Sequence, residues 1–179
     1  MRCLKGWGLR DDSPVVLVLS GGFGMGPVAE ILRELNKFQE PIQIVVVCGR
    51  NEELRRELAV AERGHPTHVL GFVNNMQELM AISSLIITKP GGLTTSEALA
   101  LGRPIFILNP IPGQETANSD FLLEHGAAAK ANRVEDLPFK LGQLYGSHRL
   151  KDMAKAAKKL GRPQAAKDIC QEVIRRFIT

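Results

Sequence analysis

The chain has 179 residues, a formal net charge of +4, 44% hydrophobic and 23% charged residues and no low-complexity tract, proportions that fit one compact domain with a substantial core. Cys3, Cys48 and Cys170 are odd in number and far apart, which excludes a fully paired disulfide framework, shows no zinc-ligand spacing and fits a reducing cytoplasm. No apolar run approaches the roughly 20 residues of a membrane-spanning helix, residues 1–14 lack the apolar core of a signal peptide, and the mild charge implies no nucleic-acid partner.

In chain order, Met1 to Ser13 has no periodicity and reads as a leader or linker stub, so that the folded unit, residues 14–179, starts near Pro14. Val15 to Leu19 (VVLVL) is a continuous apolar run of the kind found in a central parallel strand covered on both faces. It ends in a loop with glycines at 21, 22, 24 and 26. Pro27 then opens a helix whose apolar face includes Val28, Ile31, Leu32 and Leu35. Ile42 to Val47 is a second strand, running into Cys48-Gly49-Arg50-Asn51 and a charged helix to about Glu62. A dinucleotide-binding unit would need G-x-G-x-x-G in the first loop and an acidic residue at the end of this second strand; the glycines are spaced differently and the strand ends in Arg50, which argues against a nicotinamide or flavin enzyme. Thr67 to Leu70 is a short third strand followed by Gly71-Phe72-Val73, and Met76 to Ile82 a short helix. Leu85 to Ile87, a helix from Thr94 to Leu101, Pro104 to Leu108, a helix around Phe121-Leu122-Leu123, and an edge strand at Gly126 to Ala129 complete the alternation. The remainder, residues 147–179, is a helical basic tail that could meet anionic lipid. Six strands alternating with helices predict an α/β fold with a doubly wound, parallel, Rossmann-like sheet.

The stretch from Ser84 to Asn118 organises the rest. It combines a buried strand, a glycine turn, a helix, a second strand and a polar loop, and such units hold ligands beyond the carboxyl ends of their strands. Gly91 and Gly92 allow close backbone approach, and the free N–H groups of the following helix point at the same space. An anion fits there, and a nucleotide is the obvious candidate.

Five motifs in order carry a resemblance: SGGFGMGP at 20–27, CGRN at 48–51, Gly71-Phe72, ITKPGGLTTSEA at 87–98 and IPGQE at 111–115. The chain resembles the C-terminal half of diacylglycerol glycosyltransferases, which include plant monogalactosyldiacylglycerol synthases and bacterial processive diacylglycerol glucosyltransferases and are related to MurG-type enzymes. The resemblance, from about Val15 to about Val134, implies the C-terminal half of a GT-B architecture, a UDP-sugar as donor, no further cofactor or metal, and inversion at the anomeric carbon. It further implies an N-terminal acceptor-binding domain, in the same or a separate chain, and a peripheral cytoplasmic location at the inner face of the plasma membrane.

Each implied donor-binding residue also has a plainer reading. Glu97 is implied to bind both ribose hydroxyls, while Thr94-Thr95-Ser96-Glu97 also fits a capping box. Gly22, Phe23 and Gly24 are implied to lie near the sugars and also suit a tight turn; their open N–H groups favour an anion. Phe72 and Val73 are implied to present backbone groups to uracil, with side chains that suit a core. Arg50 is a nucleotide contact or a solvated loop residue. Thr94 and Thr95, with Gly91 and Gly92, are candidates for the diphosphate. Gln114 and Glu115 are implied to hold the hexose, Glu115 being equally placed to favour the first turn of the next helix; Asn118 supports that loop.

No constellation suits covalent catalysis. Ser20 and Ser96 have no histidine in their motifs, and His65, His68, His125 and His148 form no recognisable acid–base set, His65 and His68 reading as surface loop. An inverting transfer needs a base to take the acceptor proton and a site that stabilises departing UDP; the chain supplies the second. Alternatives are a subunit of a split transferase resembling the two-subunit dolichol-pathway enzyme, a MurG-like N-acetylglucosamine transferase, an isomerase resembling UDP-N-acetylglucosamine 2-epimerase, and a regulatory UDP-sugar-binding module.

Overall fold

The apolar runs of the sequence become the middle of a parallel sheet. The computed structural model describes residues 6–20, 26–108, 112–145 and 147–177. Among these, strands β1 (Val15–Leu19), β2 (Gln43–Val47), β3 (Thr67–Leu70), β4 (Leu85–Thr88), β5 (Ile105–Leu108) and β6 (Ala128–Ala131) form one sheet in the order β3-β2-β1-β4-β5-β6. Every pairing is parallel; Val18 lies beside Val46 on one side and Ile87 on the other. The helices are α1 (Val28–Leu35), α2 (Glu52–Ala59), α3 (Met76–Ile82), α4 (Gly92–Ala100), α5 (Gln114–Glu124), α6 (Leu137–Tyr145), α7 (Arg149–Leu160) and α8 (Ala165–Phe177), with a 3-10 turn at Val134–Asp136.

Alternate residues of the strands feed two separate cores. Val16, Val18, Ile44, Val46, Leu85, Ile87 and Phe106 pack against α1, α2 and α6. Val15, Leu17, Val45, Ile86, Ile105 and Ile107 pack against α3, α4 and α5. Burial on both faces explains why these strands read as unbroken apolar runs. All four residues foreseen on the apolar face of α1, Val28, Ile31, Leu32 and Leu35, are buried.

The structure departs from the sequence reading in several places. Folded structure does not begin at Pro14: Leu9 is buried, Trp7 packs against the second core, and the buried Gln43 amide clamps the segment. Gln43 Oε1 accepts from the Arg10 N–H at 2.7 Å, and its Nε2 donates to the carbonyls of Arg10 at 2.9 Å and Ser13 at 3.0 Å. A buried amide must be paired, and here the pairing tethers the strand to what precedes it. Helix α4 starts two residues earlier than expected, because Gly91 accepts the first helical bond, from Thr95 N–H at 2.9 Å. The edge strand begins at Ala128, and of Phe121, Leu122 and Leu123 only Leu122 is buried. His65 is no loose loop residue: its Nε2–H is shared between the carbonyls of Leu35 (3.1 Å) and Phe38 (3.0 Å), closing the C-terminal end of α1. His68 lies in β3.

The basic tail divides in two. Helix α7 is docked through Met153 and Ala157, so tightly that a Cβ at Gly161 would lie 2.2 Å from the Leu99 carbonyl oxygen. Helix α8 has no buried residue; Ile169, Val173, Ile174 and Phe177 form an exposed apolar stripe, Phe177 being 80% exposed.

Candidate functional site

Strand order places β1 between β2 and β4, so the chain winds outward in both directions from this pair and leaves a crevice at their carboxyl ends, the usual ligand position in such sheets. A cleft of about 580 Å³ lies there. The ends of β1 and β2 contribute Leu19, Ser20, Val47 and Gly49; the segment after β3 contributes Phe72 and Val73; α3 adds Met76 and Met80, and α4 adds Leu93, Thr94 and Glu97. The structure thus brings together Phe72, Val73, Thr94 and Glu97 from the sequence-derived set. Ser20, Met76 and Leu93 were not foreseen.

The first turn of α4 supplies the polar end of the cleft. Its cap is Gly91, with φ −66° and ψ 145°, and no side chain caps it; the N–H groups of Gly92, Leu93 and Thr94 therefore have no intrahelical acceptor. Thr94 is the third residue of the helix and Glu97 the sixth, so the capping-box reading fails and the carboxylate of Glu97 is not spent on its own backbone. Glu97 is exposed and makes no side-chain hydrogen bond or ion pair among the described residues. Leu93, 84% exposed, stands beside it. Thr95 is buried, its hydroxyl unpaired among the described residues; of the two threonines only Thr94 lines the cleft. A Cβ at Gly91 would meet nothing within 4 Å, so packing does not demand glycine there, whereas a ligand lying close to the backbone would.

The other motifs surround this turn. In 48–51, Gly49 adopts φ +60° and Asn51 Oδ1 caps α2 by accepting from Leu54 N–H at 2.9 Å. Between them Arg50 is left exposed, its guanidinium carbon 5.4 Å from the centroid of the Phe72 ring, a cation–π contact worth about 0.5–1 kcal/mol at such a site. Phe72 is 61% exposed, too open for the core role its side chain might have had. Gln114 opens α5 and its amide nitrogen sits 3.9 Å from where a Cβ of Gly92 would be, so it reaches the same turn. Glu115 lies in the first turn of α5. Asn118 Nδ2 donates to the Pro90 carbonyl at 2.9 Å; it braces the Gly91-Gly92 turn, a partner 28 residues away that local sequence could not supply. Gly22, Phe23 and Gly24 lie outside the described residues.

The chemistry available is binding. Ser20 Oγ donates to the Val47 carbonyl at 2.9 Å, joining β1 to β2. Burial pushes the Cys48 thiol up to about 11, so it stays protonated at neutral pH and is a poor nucleophile. Among the described residues no group of three or more His, Cys, Asp and Glu is placed to hold a metal ion, and no helix is long and apolar enough to cross a membrane.

Residues 15–173 match the family described as the glycosyltransferase family 28 C-terminal domain. The processive diacylglycerol beta-glucosyltransferase of Bacillus pumilus (strain SAFR-032) is 35% identical over 173 residues, covering 95% of this chain and 45% of that protein. The probable monogalactosyldiacylglycerol synthase 2, chloroplastic, of Oryza sativa subsp. japonica is 35% identical over 174 residues, covering 92% and 37%. The crystal structure of Acinetobacter baumannii MurG superposes with a TM-score of 0.76 at 22% identity, covering 97% of this chain and 53% of that one; a putative UDP-N-acetylglucosamine 2-epimerase from Listeria monocytogenes gives 0.74 at 20% identity, covering 99% and 47%. At those identities the structures speak for the fold alone. The chain spans less than half the length of these curated relatives. The match over residues 15–173, together with these sequence relatives, shows that the chain belongs to the family of glycosyltransferase family 28 C-terminal domains.

Proposed function

We propose that this chain is the donor-binding half of an inverting hexosyltransferase that moves a sugar from a UDP-sugar to a membrane lipid, diacylglycerol being the acceptor favoured by the sequence relatives. The observation that carries the reading is Glu97, a carboxylate in the cleft at the switch point with no partner among the described residues, beside a helix N-terminus whose first N–H groups have no intrahelical acceptor. A carboxylate accepts hydrogen bonds from vicinal hydroxyls, and a helix N-terminus accepts phosphate. Ribose on Glu97 and diphosphate over Gly91, Gly92 and Thr94 therefore place the hexose toward Gln114 and Glu115, the polar residues at the start of α5.

In the transfer, the acceptor oxygen attacks the anomeric carbon from the face opposite the diphosphate. The bond to the β-phosphate oxygen breaks, its electron pair leaves with UDP, and the acceptor proton goes to a base. This chain holds the donor and offsets the charge that develops on UDP. Acceptor and base are supplied by an N-terminal domain, in the same or a separate chain. The exposed Leu93, Phe72 and the stripe on α8 are the kind of apolar surface that another domain covers. The enzyme works at the cytoplasmic face of the plasma membrane, held peripherally, with basic residues of the last two helices available to anionic lipid.

The test is glycolipid synthesis from UDP-glucose or UDP-galactose with diacylglycerol vesicles, with and without the N-terminal half of a processive diacylglycerol glucosyltransferase. The isolated chain is expected to transfer nothing, because positioning of both reactants alone can account for about 7–11 kcal/mol of a barrier. Robust transfer by the chain alone would contradict the half-enzyme reading; epimerisation of UDP-N-acetylglucosamine without acceptor would replace it with an isomerase.

A further inference from the structure

Lys89 has no role in the fold that its charge would explain. It follows β4 directly, its alkyl stem reaches across to the end of the first glycine loop, and its Cε lies 3.9 Å from where a Cβ of Gly26 would sit. With Gly26, Pro27, Val28 and Thr88 it lines a small cavity that shares Leu19 with the cleft of Glu97. Its ammonium makes no hydrogen bond or ion pair among the described residues. The acidic residues nearest in sequence to the two turns, Glu30 in the first turn of α1 and Glu97 in α4, make no ion pair with it among the described residues.

The backbone fixes this lysine in place. Its carbonyl accepts from Thr88 Oγ1 at 3.1 Å and from Gly91 N–H at 2.9 Å, and Pro90 restricts its own dihedral angles. Its neighbours on either side are the N-termini of α1 and α4. A helix N-terminus carries a partial positive charge, so a lysine beside two of them, with no acidic partner among the described residues, adds repulsion. An anion bound over both turns relieves it at once.

Resting on the donor-site reading above, we infer that Lys89 is the charge-neutralising residue for the diphosphate of the donor, its ammonium reaching the phosphates from the β4 side while the N–H groups of α4 hold them from the other. Lysine suits this as a compact point charge with three donors on a flexible stem. Neither the glycine loops nor the threonines can supply a full positive charge, and Arg50, which lies over the Phe72 ring, lines neither this cavity nor the cleft.

The test compares the wild-type chain with Lys89→Met, which keeps most of the stem, and Lys89→Arg, by calorimetric titration with uridine, UMP and UDP at low and moderate salt. Lys89→Met is expected to lose about tenfold or more of the UDP affinity, the usual cost of a hydrogen bond to a charged group, and to show a flatter salt dependence. Uridine affinity should be unchanged, which also demonstrates that the variant is folded, and Lys89→Arg should recover part of the UDP affinity. Wild-type UDP affinity in Lys89→Met overturns the inference and leaves the donor site standing. Equal losses for uridine and UDP also overturn it, making Lys89 a structural support. No UDP binding by the wild-type chain overturns the donor-site reading and this inference with it.

Discussion

Replacing Glu97 by alanine separates the fold from the site. The side chain is exposed and unpaired among the described residues, and alanine is the better helix former by a few tenths of a kcal/mol, so stability should change by less than about 0.5 kcal/mol. Binding involves two opposing effects. Hydrogen bonds from ribose hydroxyls to a carboxylate contribute about 1–3 kcal/mol. Removing a carboxylate also relieves its repulsion of the diphosphate, about 0.5 kcal/mol for unit charges roughly 8 Å apart in water and less with salt. The first effect wins, leaving a net loss of about 0.5–2.5 kcal/mol, and Glu97→Ala should weaken UDP by roughly 2- to 70-fold. Calorimetric titration with UDP and 2′-deoxy-UDP reads this, and the loss should be smaller for the deoxy ligand, which has one hydroxyl fewer. A folded variant with wild-type or improved UDP affinity would refute the reasoning, because Glu97 would then face the phosphates or nothing.

Changing Gln114 and Glu115 together to alanine should leave UDP affinity nearly intact and abolish any gain from adding the hexose, as measured by titration with UDP and UDP-glucose; equal losses would mean a structural loop. Gly161→Ala should destabilise the fold by about 1–3 kcal/mol or more in denaturant unfolding, since its Cβ would fall 2.2 Å from the Leu99 carbonyl, whereas Gly142→Ala, in helix α6 with nothing within 4 Å, should stabilise by about 0.5–1 kcal/mol. The Cys48 thiol is raised by burial from 9.0 to about 11, above its unfolded value, so the stability it contributes is intact below about pH 9 and is lost as pH rises through 11. Cys48→Ala should flatten that alkaline loss, by at most about 3 kcal/mol, in denaturant titrations between pH 8 and 11.

The sheet was legible because a strand buried on both faces must be apolar throughout, and VVLVL at 15–19 and IFIL at 105–108 can be little else. Helix α1 was legible from one periodic face. The Gly91-Gly92 turn is expected as a ligand position because a strand, glycines and a helix follow one another directly; a site role for Glu97 comes only from the family resemblance, since the local sequence fits a capping box equally well. What escaped were features whose cause lies elsewhere in the chain. Glycine at 91 reads as loop, yet strand β4 delivers the chain so that Gly91 accepts the first helical bond, which moves Glu97 from a capping position into the cleft. Gln43 looks like an ordinary strand residue until Arg10 and Ser13 fold onto it. Asn118 and His65 find their partners 28 and 30 residues away. AAKA at 128–131 has weak strand character and is fixed by pairing with β5. Helix α8 carries the amphipathic pattern of a packed helix, yet none of its residues is buried among the described residues.

The central claim is that this fold holds a uridine nucleotide at the β1–β4 switch point. Calorimetric titration of the chain with UDP, against dTDP and NAD as controls, tests it most directly. The account expects UDP to bind with a dissociation constant of roughly 10 μM to 1 mM, about 4–7 kcal/mol, and to be preferred over both controls. Binding of dTDP or NAD without UDP would contradict it.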